Sequence, residues 1–281
     1  MEREIPLDRH GEGRGPAEGQ VTRGVYYLRD RIVNLYFVGD AAADTDSSGR
    51  WVLVDAGLPG AADRIATAAE WRFGAGARPE AIVMTHGHFD HTGALATLAE
   101  RWDVPVYAHT LELPYLTGRS KYPPPDPTVG GGSQSWLSPL FSRGPIDLGS
   151  RVNVLPMNGV VPGLPEWQWL LTCGHAPGHV SFFREADRTL VAGDAVVTTK
   201  QETAIGAMFQ RPTLVWRPPA YFTPDWTSAR RSAETLAALE PEVLATGHGR
   251  VMYGPAMRRE LRDLADRFDA YMPASGRYIP Y

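Results

Sequence analysis

Cysteine is almost absent from this chain. Cys173 is the only one in 281 residues, so no intrachain disulfide can form and a disulfide-stapled scaffold is excluded. Long apolar runs are missing too: no stretch reaches the roughly 18 apolar residues that would mark a membrane span. The opening MEREIPLDRHGEGRG is charged and lacks an apolar centre, so it does not read as a secretory signal. Nor is there a basic excess. Lys and Arg number 28 against 32 Asp and Glu, a net charge of −4, which argues against a nucleic-acid binder working by bulk electrostatics. The glycine-rich stretch GGGS at 130–133 neither follows a strand nor precedes Lys-Ser or Lys-Thr, so it is no Walker-type phosphate loop. These absences predict a cytoplasmic protein with a small-molecule substrate, without membrane or nucleic-acid partners.

What is present fits a globular chain: 43% hydrophobic and 21% charged residues. Residues 1–20 are polar and Gly-rich and read as a mobile arm. Residues 21–281 read as a single domain with irregular, Pro-rich insertions at 112–149 and 198–226. Short runs of Val, Leu and aromatic residues that stop at turn residues predict strands in GVYYLRD, VNLYFVG, WVLVDAG, AIVMT, PVYAH, WQWLLTC, TLVAGD and EVLATG. Helical spacing marks 61–73, 93–102, 228–239 and 256–271. Strands alternating with helices indicate an α/β fold.

Histidine is scarce, eight in the whole chain, yet three fall beside an aspartate in THGHFDHTG, residues 85–93. In an extended segment His86 and His88 project to one side and can grip one cation. Asp90 and His91 follow after the chain turns toward a helix, and suit a second cation nearby. Imidazole nitrogen and carboxylate oxygen are the donors a borderline divalent metal takes. Further donors follow other predicted strands: GHAPGH after WLLTC, Asp194 after TLVAG, and His248 after EVLAT. In layered α/β folds, functional groups gather at the carboxyl ends of strands. His10, His109 and His175 stand apart from this pattern and read as structural, His175 hydrogen-bonding beside its Ala-Pro-Gly turn. Cys173 reads as a small core residue.

These motifs resemble those of the metallo-β-lactamase-fold hydrolases. HGHFDH matches the family's His-x-His-x-Asp-His, and GHAPGH, AGD and TGHG match its downstream ligand segments in order. The resemblance spans about residues 22–255 and implies a four-layer αββα sandwich with two metals at one edge. It implies His86, His88 and His179 on the first metal and Asp90, His91 and His248 on the second. Asp194 would bridge them, and Asp55 in VLVDAG would support the site from behind. Asp194 stands where the antibiotic-hydrolysing branch commonly has cysteine. The chain is therefore more similar to the dinuclear lactonases, thioesterases and phosphodiesterases. The implied cofactors are two divalent ions, zinc first, with manganese or iron as alternatives. The implied chemistry is attack by a metal-bridging hydroxide on an ester, lactone or thioester, with Asp90 as a proton carrier. No glutathione-binding pattern is visible, and Ala195 rather than tyrosine follows Asp194, unlike some signal-lactone hydrolases.

The insertions carry the residues expected to choose the substrate. Tyr115 and Trp136 in the first, and Phe209 and Tyr221 in the second, are predicted to wall an apolar pocket. Equally open is that such aromatics pack under their own loops or join copies in a homo-oligomer. Two other activities remain in view: an iron-dependent oxidoreductase of the same fold, and a phosphodiesterase, which the lack of Lys/Arg clusters disfavours.

Overall fold

The computed structural model describes residues 18–39 and 49–273. Seven strands build the first sheet in sequence order: β1 (Glu18–Thr22), β2 (Val25–Asp30), β3 (Val33–Gly39), β4 (Trp51–Val54), β5 (Ala81–Val83), β6 (Val106–Ala108) and β7 (Val152–Val154). The pairs from β1 to β4 are antiparallel, and those from β4 to β7 are parallel. The second sheet contains β8 (Val160–Val161), β9 (Leu164–Leu171), β10 (Val180–Arg184), β11 (Thr189–Gly193), β12 (Val243–Thr246) and β13 (Met252–Tyr253), in the order β13-β12-β11-β10-β9-β8. Only β11 and β12 run parallel there.

Helices cover the outer faces. α1 (Ala62–Phe73), the short α2 (Phe89–Thr92) and α3 (Leu95–Trp102) belong to the first half. α4 (Leu113–Leu116), α5 (Ser133–Leu137) and α6 (Ala204–Phe209) lie within the two insertions. α7 (Trp226–Ala238), α8 (Gly254–Asp266) and α9 (Phe268–Tyr271) belong to the second half.

Strand alternation sorts the apolar residues into three cores. On β3, Leu35 and Phe37 turn toward α1 and α3, while Tyr36 and Val38 turn toward the other sheet. On β11, Leu190 and Ala192 face α7 and α8 while Val191 faces inward, and β12 repeats this with Leu244 out and Ala245 in. Side chains two apart share a face, so a run such as VNLYFVG is apolar throughout because both of its faces are buried. Ile65 and Ala69 of α1, with Leu95, Leu98 and Trp102 of α3, fill the first core. Leu236, Met257, Leu261 and Leu264 fill the last. Three cores between four layers make the αββα sandwich that the sequence predicts.

Several expectations are corrected. Glu18–Gln20 are not part of an arm: they pair with Leu28–Tyr26 of β2. Residues 1–17, His10 among them, lie outside the described residues. The helix expected over 256–271 starts at Gly254 and breaks at Arg267. The insertions hold short helices and turns rather than unbroken irregular chain. β10, the run VSFFR just after the Pro177-Gly178 turn of GHAPGH, is not among the strands expected from the sequence. No helix among the described residues is long and apolar enough to cross a membrane.

Candidate metal centre

β4, β5, β9, β11 and β12 end at one edge of the sandwich, and the segments after them carry the site. Asp55 follows β4, the His86–His91 loop follows β5, His175 follows β9, Asp194 follows β11 and His248 follows β12. Hydrogen bonds between the sheets fix this edge. The Asn34 amide NH₂ donates to the carbonyls of Thr246 (2.9 Å) and Gly249 (2.8 Å), and the Val180 amide donates to the Thr85 carbonyl at 2.9 Å.

Three overlapping groups converge: His86, His88 and His175; His86, His91 and Asp194; and Asp90, His91 and His248. Within each, the donor atoms lie within 4.8 Å of one another. His88 Nδ1 is 2.9 Å from His175 Nε2. Asp194 lies between the groups, its Oδ2 3.5 Å from His175 Nε2 and 3.1 Å from His248 Nε2, and its Oδ1 3.6 Å from His91 Nε2. The His248 ring also approaches Asp90 at 3.3 Å. The backbone makes room: a Cβ at Gly247 would fall 2.1 Å from Asp194 Oδ1.

Each converging imidazole except His88 has its outer nitrogen held. His86 Nδ1 faces the Thr85 hydroxyl at 3.0 Å, His91 Nδ1 faces Asp55 at 2.8 Å, His175 Nδ1 faces the Thr223 hydroxyl at 3.1 Å, and His248 Nδ1 faces the Ile32 carbonyl at 2.7 Å. Such partners fix ring orientation and leave the inner nitrogen for a metal. Asp55 itself accepts the Thr85 amide and hydroxyl, both at 2.8 Å. The decisive sign is what lacks a partner. His86 Nε2, His91 Nε2 and Asp194 Oδ1 are buried with no hydrogen bond, a costly state for polar atoms that a divalent cation relieves.

Without metal, the cluster divides electrostatically. Burial holds His86 and His175 well below the ordinary imidazole range and lowers His88 to about 4. These three are neutral and ready to bind. Burial also opposes charge on His91 and His248, but surrounding carboxylates outweigh it. Asp55, Asp194 and Asp90 raise His91 well above its usual value, and Asp194 and Asp90 raise His248 to about 10. The same pairs hold Asp194 well below the usual carboxylate range against the push of burial. Asp90 is lowered likewise, its burial outweighed by His91 and His248. Protons stand here where cations belong.

One expected ligand is displaced. His179 is buried, but its Nε2 accepts the Asp194 amide at 2.9 Å and its Nδ1 faces the Thr172 hydroxyl at 2.9 Å. Both nitrogens are taken, and burial keeps the ring neutral, its pKa lowered to about 3. His175 occupies the position expected of His179, and it is also hydrogen-bonded, to Thr223. The reason is local. His179 abuts β10, whose residues are buried on both faces, and is locked into its start. His175 precedes the Ala-Pro-Gly turn and is free to project from the edge. The strand-like run VSFFR just after His179 marks β10 in the sequence but does not say which ring points outward.

The expected pocket residues separate as well. Tyr221 lines both narrow clefts beside the cluster. Tyr115 does not; it stacks on Tyr122 with ring centroids 3.8 Å apart. Trp136 is 75% exposed and Phe209 61% exposed, away from those clefts. The walls are instead Phe89, Tyr122, Phe141, Phe222 and Trp226, with the prolines at 123, 124 and 224. The Phe222 and Tyr122 rings lie 4.9 and 4.4 Å from His88. The insertions meet over the site, the Asp126 amide donating to the Tyr221 carbonyl at 2.9 Å. Arg217 and Glu202 form a buried ion pair in the second insertion. Gln134 of the first insertion donates its amide to the Glu202 carbonyl at 3.0 Å.

The metallo-beta-lactamase superfamily model matches residues 28–248. YflN, a probable metallo-hydrolase of Bacillus subtilis (strain 168), is 47% identical over 257 residues, 92% of this chain and 96% of that one. A hydroxyacylglutathione hydrolase of Erwinia tasmaniensis is 28% identical over 139 residues, 49% of this chain and 40% of that one. The solved structure of TTHA1623 in a di-iron-bound form superposes with a TM-score of 0.51 at 27% identity, over 81% of this chain and 92% of that chain. A beta-lactamase domain protein from Burkholderia ambifaria shares the fold, with a TM-score of 0.60 at 21% identity over 91% and 74% of the two chains. The His/Asp groups and these likenesses together imply divalent metal, and the chain belongs to the metallo-beta-lactamase superfamily as one of its metal-dependent hydrolases.

Proposed function

We propose that the protein is a dinuclear hydrolase cleaving an ester, lactone or thioester of a small, uncharged molecule. The observation that carries this is the set of buried, unpartnered donors, His86 Nε2, His91 Nε2 and Asp194 Oδ1, at the meeting of three ligand groups. His86, His88 and His175 would hold one ion and Asp90, His91 and His248 the other, with Asp194 between the two sets. Such ions would supply a water of near-neutral pKa and polarise the substrate oxygen. The chain supplies the rest. Thr85, Thr223, Asp55 and the Ile32 carbonyl fix the imidazole tautomers. Asp90 lines the second cleft and offers a carboxylate that carries a proton to the leaving group. The aromatic and proline walls exclude water and favour a compact apolar acyl group.

Charge in the clefts favours a carbonyl ester over a phosphodiester. Neither cleft is lined by Lys or Arg, and their acidic residues are Asp90, Asp126 and Asp194, so nothing basic is present to clamp a phosphate. The hydroxyacylglutathione hydrolase likeness keeps thioesters in the substrate class, and the lone Cys173 suits the reducing cytoplasm. Zinc is the first choice of metal. The di-iron form of TTHA1623 makes iron the second, with an iron-dependent oxidoreductase as the corresponding alternative activity.

The test is metal analysis of protein purified without added metal. Zinc-, manganese- and iron-loaded samples are then assayed on chromogenic ester, lactone, thioester, phosphodiester and β-lactam substrates. About two ions per chain and chelator-sensitive cleavage of carbonyl esters are expected. A stoichiometry near zero with chelator-insensitive cleavage refutes the reading. Oxygen consumption by a coloured, iron-loaded sample establishes the oxidoreductase instead.

A further inference from the structure

One buried carboxylate has no part in the chemistry above. Glu112 is fully buried at the start of the first insertion. Its Oε2 accepts the Gly87 amide at 2.8 Å and the Tyr122 hydroxyl; its Oε1 accepts the Gly178 amide at 2.7 Å. Gly87 lies between His86 and His88, and Gly178 ends the turn that begins at His175. A single side chain therefore bonds to both loops that carry the three neutral imidazoles. Tyr122 reinforces the contact: its oxygen also accepts the Gly87 amide, at 2.9 Å, and its ring lies against His88.

The sequence is adapted to this close approach. A Cβ at Gly87 would come within 2.7 Å of the Tyr122 hydroxyl, and one at Gly178 within 2.9 Å of Glu112 Cγ. The free position of His-x-His and the last residue of the Ala-Pro-Gly turn are both glycine, and no side chain fits between those loops and Glu112.

We propose that Glu112 is a positioning residue for the metal centre, setting the separation of the His86–His88 loop from His175 and with it the affinity of the three-imidazole set. The proposal rests on reading His86, His88 and His175 as metal ligands. Glu112 tethers both loops by accepting their buried amides, and these bonds favour its charged form against burial, which pushes its pKa up to about 7. Removing it leaves N–H groups without an acceptor and lets each loop relax on its own. The Asp90–His91–His248 set is held by Asp55 and the Ile32 carbonyl instead. Loss of Glu112 should therefore act unequally on the two ions. Supporting partners of this kind typically alter metal affinity by about 10- to 100-fold.

The experiment titrates zinc into demetallated protein against a chromophoric chelator, for wild type, Glu112→Gln, Tyr122→Phe and His175→Ala. Gln keeps the volume but turns an amino group toward one of the two amides. The step abolished in His175→Ala is expected to weaken about 10- to 100-fold in Glu112→Gln, with the other step changing less than about threefold. Tyr122→Phe removes one of the two acceptors of the Gly87 amide and is expected to weaken the same step by less than Glu112→Gln does; weakening of the other step instead would count against the clamp. Wild-type affinities at both steps in Glu112→Gln, or equal weakening of both, would overturn the proposal. Amide exchange in demetallated wild type gives a second reading that needs no variant. Gly87 and Gly178 are expected to exchange as slowly as strand amides; exchange as fast as exposed loops overturns the clamp. Wild-type protein that takes up no zinc sinks the hydrolase reading, while amide exchange still reports on Glu112 by itself.

Discussion

Asp55→Asn probes the support of the metal centre with little disturbance elsewhere. Asp55 has a left-handed backbone, φ 62°, which Asn tolerates better than most residues, and the side chains are isosteric. Asn Oδ1 can still accept the Thr85 amide. What is lost is the Oδ2 that faces His91 Nδ1 and accepts the Thr85 hydroxyl, both at 2.8 Å. An amide NH₂ in that place favours the tautomer with a bare Nδ1, which puts the proton on Nε2, the nitrogen aimed at Asp194. A hydrogen bond to a charged group contributes about 1.5–3 kcal/mol. Holding His91 in the tautomer that leaves Nε2 bare costs the variant about 2 kcal/mol on binding metal, so zinc affinity should fall about 30-fold, since each 1.4 kcal/mol is a factor of ten. In demetallated protein the loss is a separate one, the charged acceptor of the protonated His91, and about 2 kcal/mol of it should lower Tm by about 4–8 °C for a domain this size. The pH dependence has a definite sign. Burial opposes the His91 proton, but Asp55 and its neighbours raise the folded pKa well above the ordinary value. The stabilisation is therefore complete below the unfolded pKa of about 6.5 and fades as pH rises through the raised folded value. The Tm gap between wild type and variant should be widest near pH 6 and close at alkaline pH. Chelator competition and thermal melts across pH measure both effects. Zinc affinities within twofold and equal Tm at pH 6 would refute the role given to Asp55.

Three other outcomes are expected. Gly247→Ala sets a Cβ 2.1 Å from Asp194 Oδ1 and 2.8 Å from His91 Cε1, so purified protein should carry less than its full metal complement, read by elemental analysis; full occupancy would contradict the packing. Arg217→Met strands the buried Glu202 carboxylate and should cost about 3–5 kcal/mol in urea unfolding; the double variant with Glu202→Gln should recover part of it, and no recovery would count against the ion pair. Zinc uptake at pH 7.5 should release about two protons from His91 and His248, because carboxylates outweigh burial to raise His91, and to raise His248 to about 10, with up to about one more from metal-bound water. The histidine share should decline as pH passes about 10, and calorimetry in buffers of different ionisation enthalpy counts it; release of about one proton or fewer would refute the charge assignment.

Much of the fold could be read from the chain because alternation along strands is a strong signal. The apolar runs of β3, β4, β5, β11 and β12 have both faces buried, and all but β3 are followed within three residues by a polar side chain of the site. The short edge strands β7, β8 and β13 carry too few side chains to show a period. At the site, His86, His88, Asp90 and His91 were legible from spacing alone. The choice between His175 and His179 was not, since both flank one turn and only strand pairing decides which ring points outward. Glu112 was invisible for another reason. It is a lone carboxylate at the edge of a Pro-rich stretch, and its importance lies in two backbone amides brought to it by tertiary folding. Trp136 and Phe209 show the converse: aromatic composition cannot tell a wall from a surface. Phe222 and Trp226 turn inward because the chain around them is pinned, by Glu202 through the Ala220 amide and by the Asp225 cap on Ser228.

The donors of the centre come from both sides of the sandwich. Asp55, His86, His88, Asp90 and His91 belong to the first sheet, and His175, Asp194 and His248 to the second. An ion held at that seam fastens one half of the molecule to the other, and does so only while both halves are folded. Free ion concentration then adds to the hold of the shared inner core and the bonds between the sheets, by the mass action of any ligand that binds only the native state. Starving the protein of metal should thus lower its Tm and make it easier for proteases to cut.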